Sequence, residues 1–333
     1  MALRLKDSDQ QGTFTCQTIN PARALPALAD DARAGLLVPP RSLPPKYFYD
    51  DRGSHLFDQI CATPEYYLTR TEDSLLRTNA ANIIANTRPD HIIELGSGTS
   101  KKTRRLLDAC GALDIRSTYW PFDVCEPMLR KAGEELLAEY PWLNINALVG
   151  DYSGGFKNLP SPMGRRLLVF LGSTIGNFTT EQAVEFLSDL RAHMHAEDFL
   201  LLGADRHKSV AVLNAAYDDA AGITAQFNRN VLHVLNRELH ANFDVDAFEH
   251  LAYYNTEEHQ IEMYLVATEP QNIQLEVLNA HLRVESEERI LTEISRKFTS
   301  NKLHNLLERG GFTQHSHYQS PDNYFSLVLA RPK

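Results

Sequence analysis

The chain has 333 residues, of which 43% are hydrophobic and 23% charged, a balance that fits a globular protein with a real core and excludes a disordered or fibrous one. At about 150 residues per domain, the length allows two domains or one core with a large insertion. With 33 Lys and Arg against 43 Asp and Glu, the net charge of −10 would repel phosphate backbones, so a small molecule is the expected partner rather than nucleic acid or an anionic membrane.

The N-terminus MALRLKDSDQ acquires charge before a signal-peptide core could form. The longest apolar runs, near residues 167–171 and 199–202, fall far short of the ~20 residues that span a bilayer. A cytoplasmic protein is expected. Cys16, Cys61, Cys110 and Cys125 form no CxxC pair, which suggests free thiols rather than a zinc knuckle or redox dithiol.

The Pro- and Ala-rich stretch before about residue 45 reads as an irregular approach with one helix at most. KYFYDDRGSHLFDQI and TRTEDSLLRTNAANIIANT continue as helices, the second with Thr69 or Thr71 as its cap. From HIIELGSG onward, short apolar strands (STYWPFDV, INALVGDY, RRLLVFLGSTIGNF, DFLLLGAD) alternate with amphipathic helices (TSKKTRRLLDACGA, EPMLRKAGEELLAEY, TEQAVEFLSDLRAHM). That alternation predicts an α/β, Rossmann-like doubly wound sheet, parallel and covered on both faces.

Residues 206–291 break the rhythm with one helical stretch, SVAVLNAAYDDAAGITAQFNRNVLHVLNREL, followed by strand-like alternation. A helix, KLHNLLERGGF, and a terminal hairpin then close the chain. The expected organisation is an N-terminal helical segment over 1–75, a core over 76–205, an inserted substrate-binding lobe over 206–291, and the C-terminal part of the core over 292–333. The N-terminal segment is expected to contribute to the substrate lobe.

The glycine turn Glu94-Leu95-Gly96-Ser97-Gly98 is the most informative stretch. In such sheets ligands bind outside the carboxyl ends of the strands, and Gly96 and Gly98 leave room for a close backbone approach. A dinucleotide fingerprint needs a third glycine, where GSGTSKK offers Ser100 or Lys101. Glu94 before the turn and Asp123 ending the second strand suit S-adenosylmethionine better, with Asp123 accepting both ribose hydroxyls. Asp151 ends the third strand, where it could take the adenine amino group with Tyr152 beside the ring. Each acid alone reads more simply as a helix cap or a loop residue. Three acids at three successive strand ends point to a class I methyltransferase site.

The segments PPKYFYDDRGSHLFDQI, PEYYLTRTE, ELGSGTSKKT, FLGSTIGNF and EISRKF resemble the histidine Nα-methyltransferases of ergothioneine biosynthesis, whose relatives include a tryptophan-type N-methyltransferase of ergot alkaloid assembly. The resemblance runs from about Pro44 to the C-terminus. It implies that S-adenosylmethionine is held by Gly96, Gly98, Lys102, Asp123, Asp151 and Tyr152, the last replacing a phenylalanine frequent in the family. It further implies that Asn177 and Tyr217 hold the amino acid's backbone. Tyr49 and Tyr66 would face its amine and side chain, Glu293 and Ser295 would read its imidazole, and Met263 would line the same pocket.

A carboxylate for the ring N–H and a hydroxyl for the other nitrogen suit a neutral imidazole, and strand residues two apart share a face. The pair Glu293 and Ser295 therefore favours histidine over tryptophan. The expected activity is transfer of up to three methyl groups to the α-amino nitrogen of L-histidine, giving hercynine. Asn177 and Tyr49 are its candidate catalytic residues, no metal is expected, and the expected assembly is a monomer. The alternatives are an N-methyltransferase of another amino acid or small amine, and a catalytically silent S-adenosylmethionine-binding protein. The pairs His193/His195 and His315/His317 lack metal-ligand spacing to a cysteine or carboxylate.

Overall fold

The computed structural model describes residues 11–333; the charged N-terminal decapeptide lies outside the described residues. In chain order the elements begin β1 (Phe14–Thr18), α1 (Leu28–Leu36), β2 (Arg41–Ser42), α2 (Asp51–Ile60), α3 (Tyr67–Thr87), β3 (His91–Leu95), α4 (Arg104–Ala112) and β4 (Thr118–Asp123). There follow α5 (Glu126–Glu139), β5 (Ile145–Val149), β6 (Arg166–Phe170), α6 (Thr180–Ala192), β7 (Phe199–Asp205), α7 (Val210–Tyr217) and α8 (Ile223–Glu238). The last are β8 (Phe248–Asn255), β9 (Gln260–Ala267), β10 (Gln271–Leu275), β11 (Ala280–Val284), β12 (Arg289–Arg296), α9 (Ser300–Arg309), β13 (Phe312–Gln319) and β14 (Phe325–Pro332).

An eight-stranded sheet runs in the order β1-β5-β4-β3-β6-β7-β14-β13. It is parallel from β1 to β7, and β14 enters antiparallel between β7 and β13. Alternate residues supply opposite faces. Ile92, Val169 and Leu201 pack with Leu76 of α3 and Leu107 of α4, whereas Ile93, Leu168 and Leu200 pack with Leu187 of α6 and Leu307 of α9. Burial on both sides is why these strands read as unbroken apolar runs. Chain order reverses between β3 and β6, and the carboxyl ends of those strands form the crevice in which such sheets bind ligands.

A second sheet, β2-β12-β9-β8, is covered by α1, α2, α7 and α8, with Leu36, Leu56, Leu213, Leu232, Leu265 and Ile290 in one apolar cluster. The strands β10 and β11 form a separate antiparallel ribbon. No helix among the described residues is long and apolar enough to cross a membrane.

Several local readings change. The N-terminal stretch has its one helix, but it also contributes β1 to the edge of the main sheet and β2 to the second sheet. The sequence FTCQT of β1 offers only Phe14 and Cys16 as an apolar alternation, too short to read, and its neighbourhood is held partly by polar contacts such as Thr15 Oγ1 to Asn146 Oδ1 at 2.7 Å. Helix α3 begins at Tyr67 without a side-chain cap, ahead of Thr69 and Thr71, because Tyr67 and Leu68 are buried and tertiary packing outweighs capping. It runs unbroken across the expected boundary at residue 75. The stretch from 209 to 239 is two helices, not one: Asp219 accepts from Ile223 N and Thr224 N at 2.9 and 2.7 Å, starting α8 afresh. Strand β12 belongs to the second sheet, so the chain returns to the main sheet after it rather than at 292.

Candidate functional site

The glycine turn leaves β3 with Gly96 and Gly98 at φ values of +69° and +51°, a region costly for any side chain. A Cβ on Gly96 would lie 3.6 Å from the Tyr152 ring and fill the space between turn and ring. Asp123 braces the turn by accepting from Gly98 N at 2.9 Å and from Cys125 N at 3.0 Å, one bond to each oxygen. Each oxygen keeps a lone pair for a diol. Burial raises the Asp123 carboxyl, against the pull of these backbone donors.

Asp151 caps the short turn after β5, its Oδ1 accepting from Ser153 N at 2.8 Å. The capping role and a free second oxygen coexist. Tyr152 stands edge-on to Phe170 and Phe186, with centroids 5.7 and 5.9 Å away. Lys102, in the turn between β3 and α4, reaches toward the end of β6, its Nζ paired to the buried Glu72, which also accepts from Gly172 N at 2.9 Å. Burial alone would lower the Lys102 amine, but Glu72 overrides it and leaves the amine raised. Glu94 is not exposed to a ligand: it lies beneath the turn and accepts from Tyr119, whose hydroxyl also reaches Ser100 Oγ at 2.9 Å.

These features fit an adenosine-bearing ligand. There is a cradle that a Cβ would fill, a carboxylate with spare lone pairs, and an aromatic ring. The Ser97 hydroxyl, in the middle of the turn, is buried without a hydrogen-bond partner among the described residues.

Beside this edge is a small cavity of about 20 Å³ lined by Phe57, Ile60, Tyr66, Ala216, Tyr217, Thr224, Phe227, Met263 and Glu293. That is room for about one water, so the lining side chains close on one another where a bound amino acid would part them. Four of the seven expected substrate residues line it. Tyr49 joins from the N-terminal side, its ring edge-on to Phe57 and Phe227 at 5.6 and 5.7 Å. Burial holds the Tyr49 phenol well above its ordinary range, and Glu293, Tyr152 and Tyr217 add to the rise. Tyr49 is thus near both the cofactor edge and the substrate pocket. Asn177 ends a short turn after β6 that lies against β12, and its side-chain amide makes no hydrogen bond among the described residues.

A bulge in β12 between Leu291 and Glu293 aims the pocket's carboxylate. Thr292 turns toward α8, donating to Asn228 Oδ1 at 2.7 Å, while Glu293 sits opposite Met263 and faces the cavity. The Glu293 carboxylate has no hydrogen-bond partner among the described residues, and burial pushes it up to about 7, with Lys297 opposing. Ser295 does not line the cavity. It lies behind Tyr217, their hydroxyls 2.8 Å apart.

The sequence reading missed what stands behind that pair. Lys297, fully buried, donates to Tyr217 Oη, Ser295 Oγ and Asp205 Oδ2, and Asp205 is shared with Tyr67 and Lys208. The signals were present: Glu293, Ser295 and Lys297 continue one period-2 face, and Asp205 ends a strand as Asp123 does. A larger, shallow depression lined by Arg88, Asp90, Gly164, Arg165, His195, Glu197 and Asp198 opens at the opposite ends of β3 and β6 and holds none of the expected residues.

Residues 28–332 match the family model described as histidine-specific methyltransferase, SAM-dependent. The chain is 49% identical to the histidine N-alpha-methyltransferase of Mycolicibacterium smegmatis over 92% of its own length and 95% of that protein. It is 45% identical to the histidine N-alpha-methyltransferase of Mycobacterium tuberculosis, over 91% and 94% of the two chains. Ergothioneine biosynthesis protein 1 of Schizosaccharomyces pombe is 28% identical over 87% of this chain and 39% of the longer fungal protein.

Proposed function

The chain belongs to the histidine-specific, S-adenosylmethionine-dependent methyltransferases, and from that premise we propose that it methylates the α-amino group of L-histidine through to the trimethylated betaine hercynine. Histidine methylation in ergothioneine biosynthesis is what the relatives over nearly the whole chain support. The observation that carries the substrate reading is the unpartnered Glu293 carboxylate facing a small, aromatic-lined cavity beside the Tyr217–Ser295 hydroxyl pair. Carboxylate and hydroxyl complement the two nitrogens of a neutral imidazole.

S-adenosylmethionine, when bound, supplies a methyl group already activated on a sulfonium. Asp123, Asp151 and Tyr152 would hold its adenosine part and Lys102 its charged tail, with Gly96 and Gly98 allowing the close approach. What remains for the chain is alignment, which by itself contributes several kcal/mol. Asn177 and Tyr217 would grip the amino acid's backbone while Glu293 fixes the ring. The amine must be neutral to react, and a free α-amine titrates near ~8. Tyr49, held above its ordinary range, stays protonated at that pH, so it serves as a hydrogen-bond relay and not as a phenolate base. Each round replaces an N–H by a methyl and leaves the grip at carboxylate and ring unchanged, which permits successive rounds.

Mass spectrometry of the products formed from L-histidine and S-adenosylmethionine tests the reading. Hercynine is the expected product, and its absence refutes the proposal. Titration of histidine, tryptophan and tyrosine in the presence of S-adenosylhomocysteine separates this substrate from the tryptophan branch.

A further inference from the structure

Lys297 has no contact left to offer a substrate. Its ammonium has three donors, and all are engaged: Asp205 Oδ2 at 2.9 Å, Tyr217 Oη at 2.9 Å and Ser295 Oγ at 2.8 Å. The side chain is 0% exposed. Asp205, however, already has another cation. Lys208, 3% exposed, reaches Asp205 Oδ1 at 2.5 Å, and Tyr67 Oη and Arg206 N donate to the same carboxylate at 2.6 and 2.9 Å. Burial opposes the charge of Lys297, but Asp205 and Tyr217 override it and leave the amine raised, whereas burial lowers Lys208 to about 8. Lys297 is therefore the firmly held cation of the cluster.

The held ammonium stands behind the hydroxyls of the pocket wall. Tyr217 Oη and Ser295 Oγ both accept from Lys297 and lie 2.8 Å from each other. One hydroxyl hydrogen bridges the pair. The other has no acceptor among the described residues, which leaves it available to a ligand. Glu293, four residues before Lys297, is the nearby acid without a partner, with the phenols of Tyr49, Tyr66 and Tyr217 around it.

We propose that Lys297, held by Asp205, is a positioning residue for the substrate: it fixes the Tyr217–Ser295 pair so that Tyr217, the member lining the pocket, turns its hydroxyl donor toward the substrate's carboxylate, and it supplies the counter-charge that keeps Glu293 an acceptor. The pocket thereby presents a donor for the amino acid's backbone beside an anion for its ring. This rests on the histidine reading above and deepens it. It also gives a pH dependence. Burial raises Glu293 and Lys297 opposes the rise, so removing Lys297 moves the acid limb of kcat/KM for histidine to higher pH.

The test is Lys297→Met. Should K297M not fold, Lys297→Arg, which keeps the charge but not the three-point geometry of the ammonium, carries the same measurements. The affinity of K297M for S-adenosylhomocysteine should be unchanged. The KM for histidine should rise about tenfold or more, with kcat changing much less, and the acid limb should shift upward. Because Lys297 is held to act through the hydroxyl pair, K297M combined with Ser295→Ala should raise KM little beyond K297M alone. An unmoved KM and acid limb, or additive effects in the double variant, would overturn the proposal. If the wild-type chain does not turn over histidine, the functional reading fails instead, an outcome that does not depend on either variant.

Discussion

Replacing Glu293 by glutamine keeps the shape of the side chain and removes its charge, which separates the cost of the carboxylate from its use. Burial raises this carboxyl from its ordinary 4.5 to about 7. Below pH 4.5 the folded and unfolded chains both hold the proton. As pH rises through 4.5 toward 7 the unfolded chain loses it first, so the folded state is penalised, and the penalty is complete above 7. At 1.36 kcal/mol per unit the shift corresponds to roughly 3 kcal/mol, or about 2 kcal/mol once the water still reaching the pocket is allowed for. Glu293→Gln should therefore stabilise the ligand-free protein at pH 8.5 by about 2 kcal/mol, roughly 3 °C in melting temperature for a chain of this length, and by much less at pH 5. The same variant should bind histidine at least tenfold more weakly in the presence of S-adenosylhomocysteine, since an amide is a poorer acceptor for the ring N–H. Thermal melts at the two pH values and a calorimetric titration make the measurement. A variant that is less stable at pH 8.5, or equally stabilised at both, would refute the assignment of Glu293 as a strained, ligand-directed carboxylate.

Three further outcomes are expected. Asp123→Ala removes the acceptor that braces Gly98 N and would hold a diol, so S-adenosylhomocysteine should bind about a hundredfold more weakly by calorimetry; undiminished affinity would place the cofactor elsewhere. Asn177→Ala should retain its melting temperature while kcat falls about a hundredfold, and unchanged turnover would remove Asn177 from the mechanism. Gly203→Ala places a Cβ 2.1 Å from Glu72 Oε1 in the core between α3 and β7, so it should cost more than about 2 kcal/mol in denaturant unfolding; a wild-type midpoint would show that Glu72 can yield.

Much of the main sheet was legible because its signals are local. Strands buried on both faces are continuous apolar runs, the helices between them are amphipathic, and the turn after β3 carries its glycines in order. Asp123 and Asp151 could be placed at strand ends by counting alone. The parts that escaped depend on distant partners. The strand β1 is polar and exists because β5 offers it an edge. The bulge at Thr292 is fixed by Asn228, 64 residues away in sequence. The break between α7 and α8 follows from the side chain of Asp219, which a helical period passes over. Glu94 shows the reverse error, an acid at a strand end whose carboxylate is used inside the protein by Tyr119.

The site's hidden half lies where the second sheet rejoins the first. Phe298 N donates to Asp205 O at 2.9 Å and Arg206 bridges to Phe298, so the backbone leaving β12 is tied to the end of β7 beside the Lys297–Asp205 ion pair. The strand that carries Glu293 and Ser295 is therefore anchored to the core within a few residues of the substrate pocket. A one-residue slip of β12 would turn Glu293 away from the cavity and would also withdraw Lys297 from Asp205, leaving a buried carboxylate with Lys208 alone and an ammonium in apolar surroundings. The register that turns Glu293 to the cavity and the register that seats the second sheet on the first are thus the same. For this reason, residues proposed to select the substrate can lie on one sheet and those proposed to hold the cofactor on the other, with the distance between them fixed.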